Sequence, residues 1–469
     1  MRAMGTESSV SHKPPDKTLS VPQRLMGLCT ALGIRQAHFA ATLEDDWQEL
    51  ATMHSDVIAS LSLIFPHAAN LDALMRLDGP IRILHGEHAN GLESLREAAT
   101  THPRASLDLL AEYKGFLWSD VAAEHPQAVI RTILAAAAAS HLANVSSDLP
   151  KEGEIHGITY RTWGDGPPLF LLPLALAPSQ WDPVIEALAE QFAVILLGGA
   201  EVGTVAHLEA RGRCVGYREA VDRVLERSHI RQARQVLDVG CGTGVATRLI
   251  ASCCTEGAQI TAVDINRYLL CEACALADQD DLAGVIEFRL ANAEMLDFDD
   301  DSFDLSFSIT VMEEVSAKAM LAELTRVTRP DGRVAVVVRA VDLPRIVHAP
   351  LPAALKRHVE TDPKFTSRAA VSGCADASLY RKFVGAGLEE VQIFPQLITY
   401  REPGRVDQLA RVIEANLGQE DKKAWRQAVE TAREDGTFFI AVPMHCAIGK
   451  VSRGRHDQSV QYQSKEVSK

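Results

Sequence analysis

Val236-Leu237-Asp238-Val239-Gly240-Cys241-Gly242-Thr243-Gly244 reads as a buried strand that runs straight into a loop too rich in glycine for ordinary packing. The run Gln235 to Val239 is short, apolar and β-branched, glycine then recurs at every second position, and a helical stretch, Val245 to Ser252, follows. Glycine at those places lets the backbone take φ > 0 and lets a ligand lie against the main chain without meeting a Cβ. Such a strand, turn and helix form the first βα unit of a doubly wound sheet, where ligands bind beyond the carboxyl ends of the strands.

The spacing separates the possible ligands. A dinucleotide fingerprint would read G-x-G-x-x-G with the pyrophosphate on the helix N-terminus, whereas this chain reads D-x-G-x-G-x-G with a carboxylate, Asp238, at the strand end. A fixed negative charge there repels a pyrophosphate and favours a ligand with positive charge, such as S-adenosylmethionine with its ammonium and sulfonium. A second strand, Gln259 to Val263, ends in Asp264, where a carboxylate can accept both hydroxyls of a ribose.

With these residues in view, the chain resembles the class I S-adenosylmethionine-dependent methyltransferases, in their small-molecule branch. The resemblance covers roughly residues 213 to 452 and runs through AVDIN at Ala262 to Asn266, LANAEMLDF at Leu290 to Phe298, SFDLSFSI at Ser302 to Ile309 and ELTRVTRPDGRVAVVV at Glu323 to Val338. A late pair of strands, around Gly436 to Ala441 and Ala447 to Val451, fits the same family. The resemblance implies a Rossmann-like seven-stranded sheet with S-adenosylmethionine as cofactor. It places Gly240, Gly242 and Gly244 under the methionine part, Asp238 on its amino group, Asp264 on the ribose, and Asn292 and Ala293 beside the adenine. Tyr217, Ile265 and Ser308 complete the implied cofactor-binding set. The chain departs from the family at Asn292, where Asp is commoner, although an amide oxygen can still accept from the exocyclic amine.

Composition bounds the function. At 469 residues the chain has room for two or three domains, and its 47% hydrophobic content suffices for ordinary cores. No run reaches the roughly 18 apolar residues of a membrane span, so a membrane partner is not expected. The formal net charge of −15 argues against a nucleic-acid substrate, which needs a basic stripe. The polar ends, residues 1–20 and 453–469, read as disordered tails without a secretory segment, and the location expected is cytoplasmic. Nine cysteines fit reduced thiols. Cys271 and Cys274, with Cys253 and Cys254 upstream, could in principle bind a metal, but their alternation with Ala273, Ala275 and Ala277 reads as the core face of a helix. No metal site is expected.

The region from 21 to 205 holds two segments that each resemble part of an α/β hydrolase, in reversed order. Leu25 to Pro66 resembles the strand, nucleophile elbow and following helix of that fold, Gly79 to Glu87 the strand that carries the acid, and Leu109 to Val129 the stretch that carries the histidine. Ile155 to Leu197, after a polar joint at Ser146 to Glu152, resembles its beginning. The chemistry is missing. Ala41-Thr42-Leu43-Glu44-Asp45 offers no serine at the elbow, Gly115 to Trp118 stands where the family has its histidine, and Pro173 to Leu176 replaces the oxyanion loop, leaving His88 without a nucleophile to serve. The expected architecture is therefore a degenerate, rearranged α/β domain, a possible contact for homo-oligomers, ahead of a methyltransferase domain.

Methyl transfer asks mainly for alignment of acceptor, methyl carbon and sulfur, with a base where the acceptor is a hydroxyl or phenol. The stretch expected to cover the methyl, Val341 to Leu388, is long and reads as an acceptor lid. His348 and Tyr380 are its candidate catalytic residues, with His358 beside them and Glu313 and Glu314 as a second group. The function read from these features is methylation of a small organic acceptor at O, C or N. The alternative is an S-adenosylmethionine-binding protein that does not methylate, either a scaffold or a cyclisation or rearrangement enzyme.

Overall fold

The computed structural model describes residues 19–66, 69–89, 91–114, 119–140, 142–144, 149–361 and 371–453. The expected tails lie outside this range apart from residues 19, 20 and 453, as does the Gly115 to Trp118 stretch. The chain divides between Ala206 and His207 into two compact units, each an α/β fold around its own eight-stranded sheet.

In the first unit the sheet runs in the order Ala105–Leu110, Ile81–Gly86, Ile58–Ile64, Ala37–Ala41, Pro168–Leu171, Ala193–Gly198, Ile158–Trp163 and Glu152–Ile155. Two stretches of chain that are far apart in sequence thus meet at one parallel seam, where His38, Phe39 and Ala40 pair with Leu169, Phe170 and Leu171. Phe39 and Phe170 stack across it with ring centroids 5.2 Å apart. The five central strands from Ile81–Gly86 to Ala193–Gly198 are almost wholly buried, as expected for parallel strands covered on both faces. Ile158–Trp163 is antiparallel to its neighbours and alternates buried with more exposed residues near the edge.

In the second unit the order is Ile286–Leu290, Gln259–Asp264, Gln235–Val239, Phe303–Ile309, Thr328–Arg339 and Phe439–Val451. The first five are parallel. Chain order reverses between Gln235–Val239 and Phe303–Ile309, so the crevice of this doubly wound sheet opens at the end of the strand that carries Asp238.

Three details differ from the sequence reading. The late pair of strands is a single antiparallel strand, Phe439–Val451, and its full-length partner is Leu388–Tyr400. Besides the seven strands expected, the short strand Ile346–His348 pairs with Phe439–Ala441, on the edge that Thr328–Arg339 fills further along. The helix Arg267–Gln279 buries Leu269, Leu270, Ala273, Leu276 and Ala277, which leaves Cys271 and Cys274 exposed on its outer side instead of in the core. Among the described residues no helix is long and apolar enough to cross a membrane.

Candidate functional site

Asp238 is the last polar residue of a strand that is otherwise core, and it is completely buried. One carboxylate oxygen accepts a 2.6 Å hydrogen bond from the hydroxyl of Thr247, on the helix Val245–Cys253, and the other has no partner. Burial, and then the nearby charge of Asp264, push its carboxyl up to about 7. A buried acceptor left open in this way is costly unless a donor fills it. Beside it Tyr217 is likewise buried, with its phenol OH unpartnered and its ring 5.1 Å from the guanidinium of Arg211.

The loop beyond Asp238 is built as the glycine pattern requires. Gly240, Gly242 and Gly244 all have left-handed backbone, with φ of 76°, 56° and 77°. The reasons differ along the loop. A Cβ on Gly240 would clash with Val311 Cγ2, whereas one on Gly242 would find nothing nearer than Leu208 Cδ1 at 3.7 Å. Gly240 is therefore needed for packing, and Gly242 faces open space of the kind a ligand can fill.

Asp264 lies at the end of the adjacent strand and accepts the backbone N–H of Gly242 and of Asn266, each at 2.8 Å. It ties the two loops of the crevice together, and its carboxylate keeps further lone pairs for a ligand. The surface next to it is unusually apolar: Ile265 is 71% exposed, Leu290 65% and Met295 74%. Asn292 turns its side-chain oxygen onto the N–H of Glu294 at 2.9 Å, and Ala293 is buried beside it. Ser308 is the member of the implied set that does not face the crevice, because its hydroxyl is donated to the carbonyl of Val239 at 2.7 Å across the sheet. The others, from Tyr217 to Ala293, are brought together around the ends of neighbouring strands.

Residues that the motif does not announce hold the loop in place. Glu209 accepts from the hydroxyl of Thr243 at 2.8 Å and pairs with Arg248, which also donates to the carbonyl of Thr243 at 2.7 Å. His445 Nε2 lies 2.8 Å from Asp342, which also accepts from the N–H of Ala377 and so fastens the segment after Arg339 to the sheet. Burial alone would raise the Asp342 carboxyl, but His445 and that amide hold it below its ordinary value.

A cavity opens on the side of the sheet away from Asp264, at the end of Thr328–Arg339. Its lining includes Tyr217, Thr310, Arg339, Val341, Leu343 and Tyr400, so the described start of the expected lid forms part of its wall. Neither His348 nor Tyr380 is among the lining residues. His348 is held in its short strand with its ring stacked on Phe439 at 5.1 Å, and Tyr380 projects outward from a helix that buries Leu379 and Phe383. His358 sits on the separate helix Ala353–Thr361. Glu313 is fully buried, with one oxygen accepting the N–H of Arg339 at 2.7 Å, and burial raises its carboxyl, while Glu314 is exposed and lies 3.7 Å from the Arg339 guanidinium. The lid residues 362–370 lie outside the described residues.

Residues 237–336 match the family model of the methyltransferase domain. The chain is 36% identical to an O-methyltransferase, resE, of Aspergillus sclerotiorum over 27% of its own length and 46% of that protein. It is 32% identical to the chloroplastic tocopherol O-methyltransferase of Arabidopsis thaliana over 26% of its length and 38% of that protein. The chain thus spans less than half the length of these curated relatives. Among solved structures, a geranyl diphosphate methyltransferase in complex with S-adenosylmethionine aligns with 52% of this chain and 95% of its own, at 16% identity and a TM-score of 0.30. The glycine loop therefore lies within the stretch that matches a methyltransferase domain.

Proposed function

We propose that the protein transfers the methyl group of S-adenosylmethionine to an oxygen, carbon or nitrogen atom of a small organic molecule. The observation that carries this reading is the open, fully buried carboxylate oxygen of Asp238 beneath a glycine loop with room for a ligand. A ligand with an ammonium group answers both features, whereas a pyrophosphate would set its negative charge against Asp238. In this reading Asp238 and Tyr217 hold the amino-acid end, Asp264 accepts the ribose hydroxyls, and Ile265, Asn292 and Ala293 enclose the adenine.

When bound, the cofactor supplies a methyl group already activated on a sulfonium. The chain's own residues then have to hold the acceptor in line and keep water out. The cavity beyond Thr310 and Arg339 is the place we assign to the acceptor, with Val341 and Leu343 as its cover. Calorimetry with S-adenosylhomocysteine tests the cofactor site directly. Binding at micromolar concentration that is lost in Asp264→Ala supports the reading, and no binding in the parent protein overturns it.

For the first unit we propose a hydrolase-type sheet whose opening strands follow its closing strands in the chain, without hydrolytic chemistry. The support is the seam between Ala37–Ala41 and Pro168–Leu171, with the later piece of chain forming one half of the sheet and the earlier piece the other. At the expected elbow, Thr42 is buried and donates its hydroxyl to the carbonyl of Ile64 at 2.7 Å, which leaves it unavailable as a nucleophile. A serine-reactive fluorophosphonate probe should not label residues 21–205, and specific labelling there would sink the proposal.

A further inference from the structure

The cavity assigned to the acceptor carries an unusual concentration of positive charge. Arg211, Arg339, Arg345 and Arg405 all contribute to its wall. Arg405 lies on the helix Pro403–Ala415 with its guanidinium 5.3 Å from the ring of Tyr400, donates to the side chain of Gln408, and keeps its Nε buried without a partner. Arg211 reaches the hydroxyl of Thr310 at 3.4 Å and also has a buried, unpartnered Nε. Among the described residues neither of these two forms an ion pair with a carboxylate, although Arg339 has Glu314. The phenol of Tyr217, buried in the same wall, has no partner either.

Arg211 and Arg405 are half-buried, and each keeps its Nε away from water; a partly desolvated guanidinium without an opposing charge is unfavourable, and two such groups in one wall repel each other. Burial disfavours the protonated form of Arg405, with Tyr400 opposing that effect and the adjacent charge of Arg211 adding to it. The chain has 62 acidic residues against 47 basic ones, so acids to neutralise this wall are abundant, yet among the described residues none pairs with Arg211 or Arg405. The counter-charge expected is a ligand's. The same lining holds apolar side chains, Ile398, Leu409 one helical turn from Arg405, and Met444 across the strand pair from Arg339.

We infer that this cavity takes an amphipathic organic anion, whose carboxylate, sulfate or phosphate is bound by Arg405 and Arg211 and whose apolar body lies on Ile398, Leu409 and Met444. That this anion is the methyl acceptor rests on the function proposed above, but the anion site itself does not. The cofactor's own carboxylate is the competing occupant. It would engage the same arginines and close the site to a second anion.

The test uses a matched pair of probes, 1-anilinonaphthalene-8-sulfonate and its neutral parent N-phenyl-1-naphthylamine, titrated by fluorescence into the full-length protein with and without saturating S-adenosylhomocysteine. The sulfonate should bind one site at least about tenfold more tightly than the neutral probe in both conditions, against the repulsion of the protein's net charge. Arg405→Met should remove that preference while leaving the neutral probe unaffected, and Arg405→Lys, which keeps the charge, should retain most of it. Arg405→Gln serves if the Met variant melts early. Equal affinity for the two probes, or a preference that survives both Arg405→Met and Arg405→Gln, overturns the anion site. A preference abolished by S-adenosylhomocysteine assigns the arginines to the cofactor and overturns the proposal too. Failure of the methyltransferase reading shows separately, as absence of S-adenosylhomocysteine binding by calorimetry.

Discussion

At the scale of single residues, Asp238 links the fold to the ligand through one proton. Its carboxyl, raised to about 7 by burial, is largely protonated in the free protein below neutrality, whereas holding an ammonium requires the carboxylate. Binding must then release a proton at low pH. Affinity for S-adenosylhomocysteine should rise with pH up to about 7 and level off above it, with a slope approaching tenfold per unit on the acid side. Calorimetry in buffers of different ionisation enthalpy reads that proton, and Asp238→Asn should flatten the profile. The same shift acts on stability with a definite sign. A folded-state value above the unfolded one gives stability that is fully present below the ordinary aspartate range and is lost as pH rises through about 7. Asp264→Ala should weaken binding by about 1.5–3 kcal/mol, the scale of a hydrogen bond to a charged group. It should also lower the melting temperature, because the carboxylate holds the amides of Gly242 and Asn266.

At the scale of elements, the glycine loop separates packing from binding. Gly240→Ala drives a Cβ into Val311 and should destabilise the fold markedly. Gly242→Ala has space, so its stability cost should stay near the left-handed backbone penalty of about 1–2 kcal/mol, while its effect falls on the ligand. Thermal melts alongside S-adenosylhomocysteine titrations distinguish the two, and equal loss of stability in both variants would refute the division. This loop was legible in the sequence because its signal is local: a buried strand, three glycines and two carboxylates at strand ends. Other features had no local signal. Leu388–Tyr400 carries Glu389, Glu390 and Pro395 and lies on the sheet edge with much of its length exposed, so its hydrophobic pattern is broken. The solvent side of Arg267–Gln279 is decided by where its leucines pack, which alternation with alanine could not tell. The arginine cavity draws on residues from Arg211 to Met444 and exists only once strands and helices are assembled. His445 and Asp342 likewise meet across 103 residues of chain.

At the scale of the whole molecule, the rearranged order of the first unit, already expected from the sequence, carries a prediction about folding. Its central strand Ala37–Ala41 is buried on both faces and flanked on one edge by Ile58–Ile64 and on the other by Pro168–Leu171, more than a hundred residues further on. One hydrophobic cluster joins Leu25, Leu28, Phe39 and Trp47 of the early piece to Phe170, Leu172, Ile195 and Leu197 of the later one. Without that later piece, Ala37–Ala41 becomes a flat, apolar edge with unpaired backbone groups, and Phe39 loses the ring it stacks on. A fragment of residues 21–205 should therefore be soluble and melt cooperatively, while 21–145 should aggregate or stay unfolded. Circular dichroism melts and size-exclusion chromatography of the two fragments provide the comparison. A cooperative melt of the shorter fragment at the temperature of the longer would mean that the seam contributes little, and that the two pieces of chain are neighbours rather than halves of one domain.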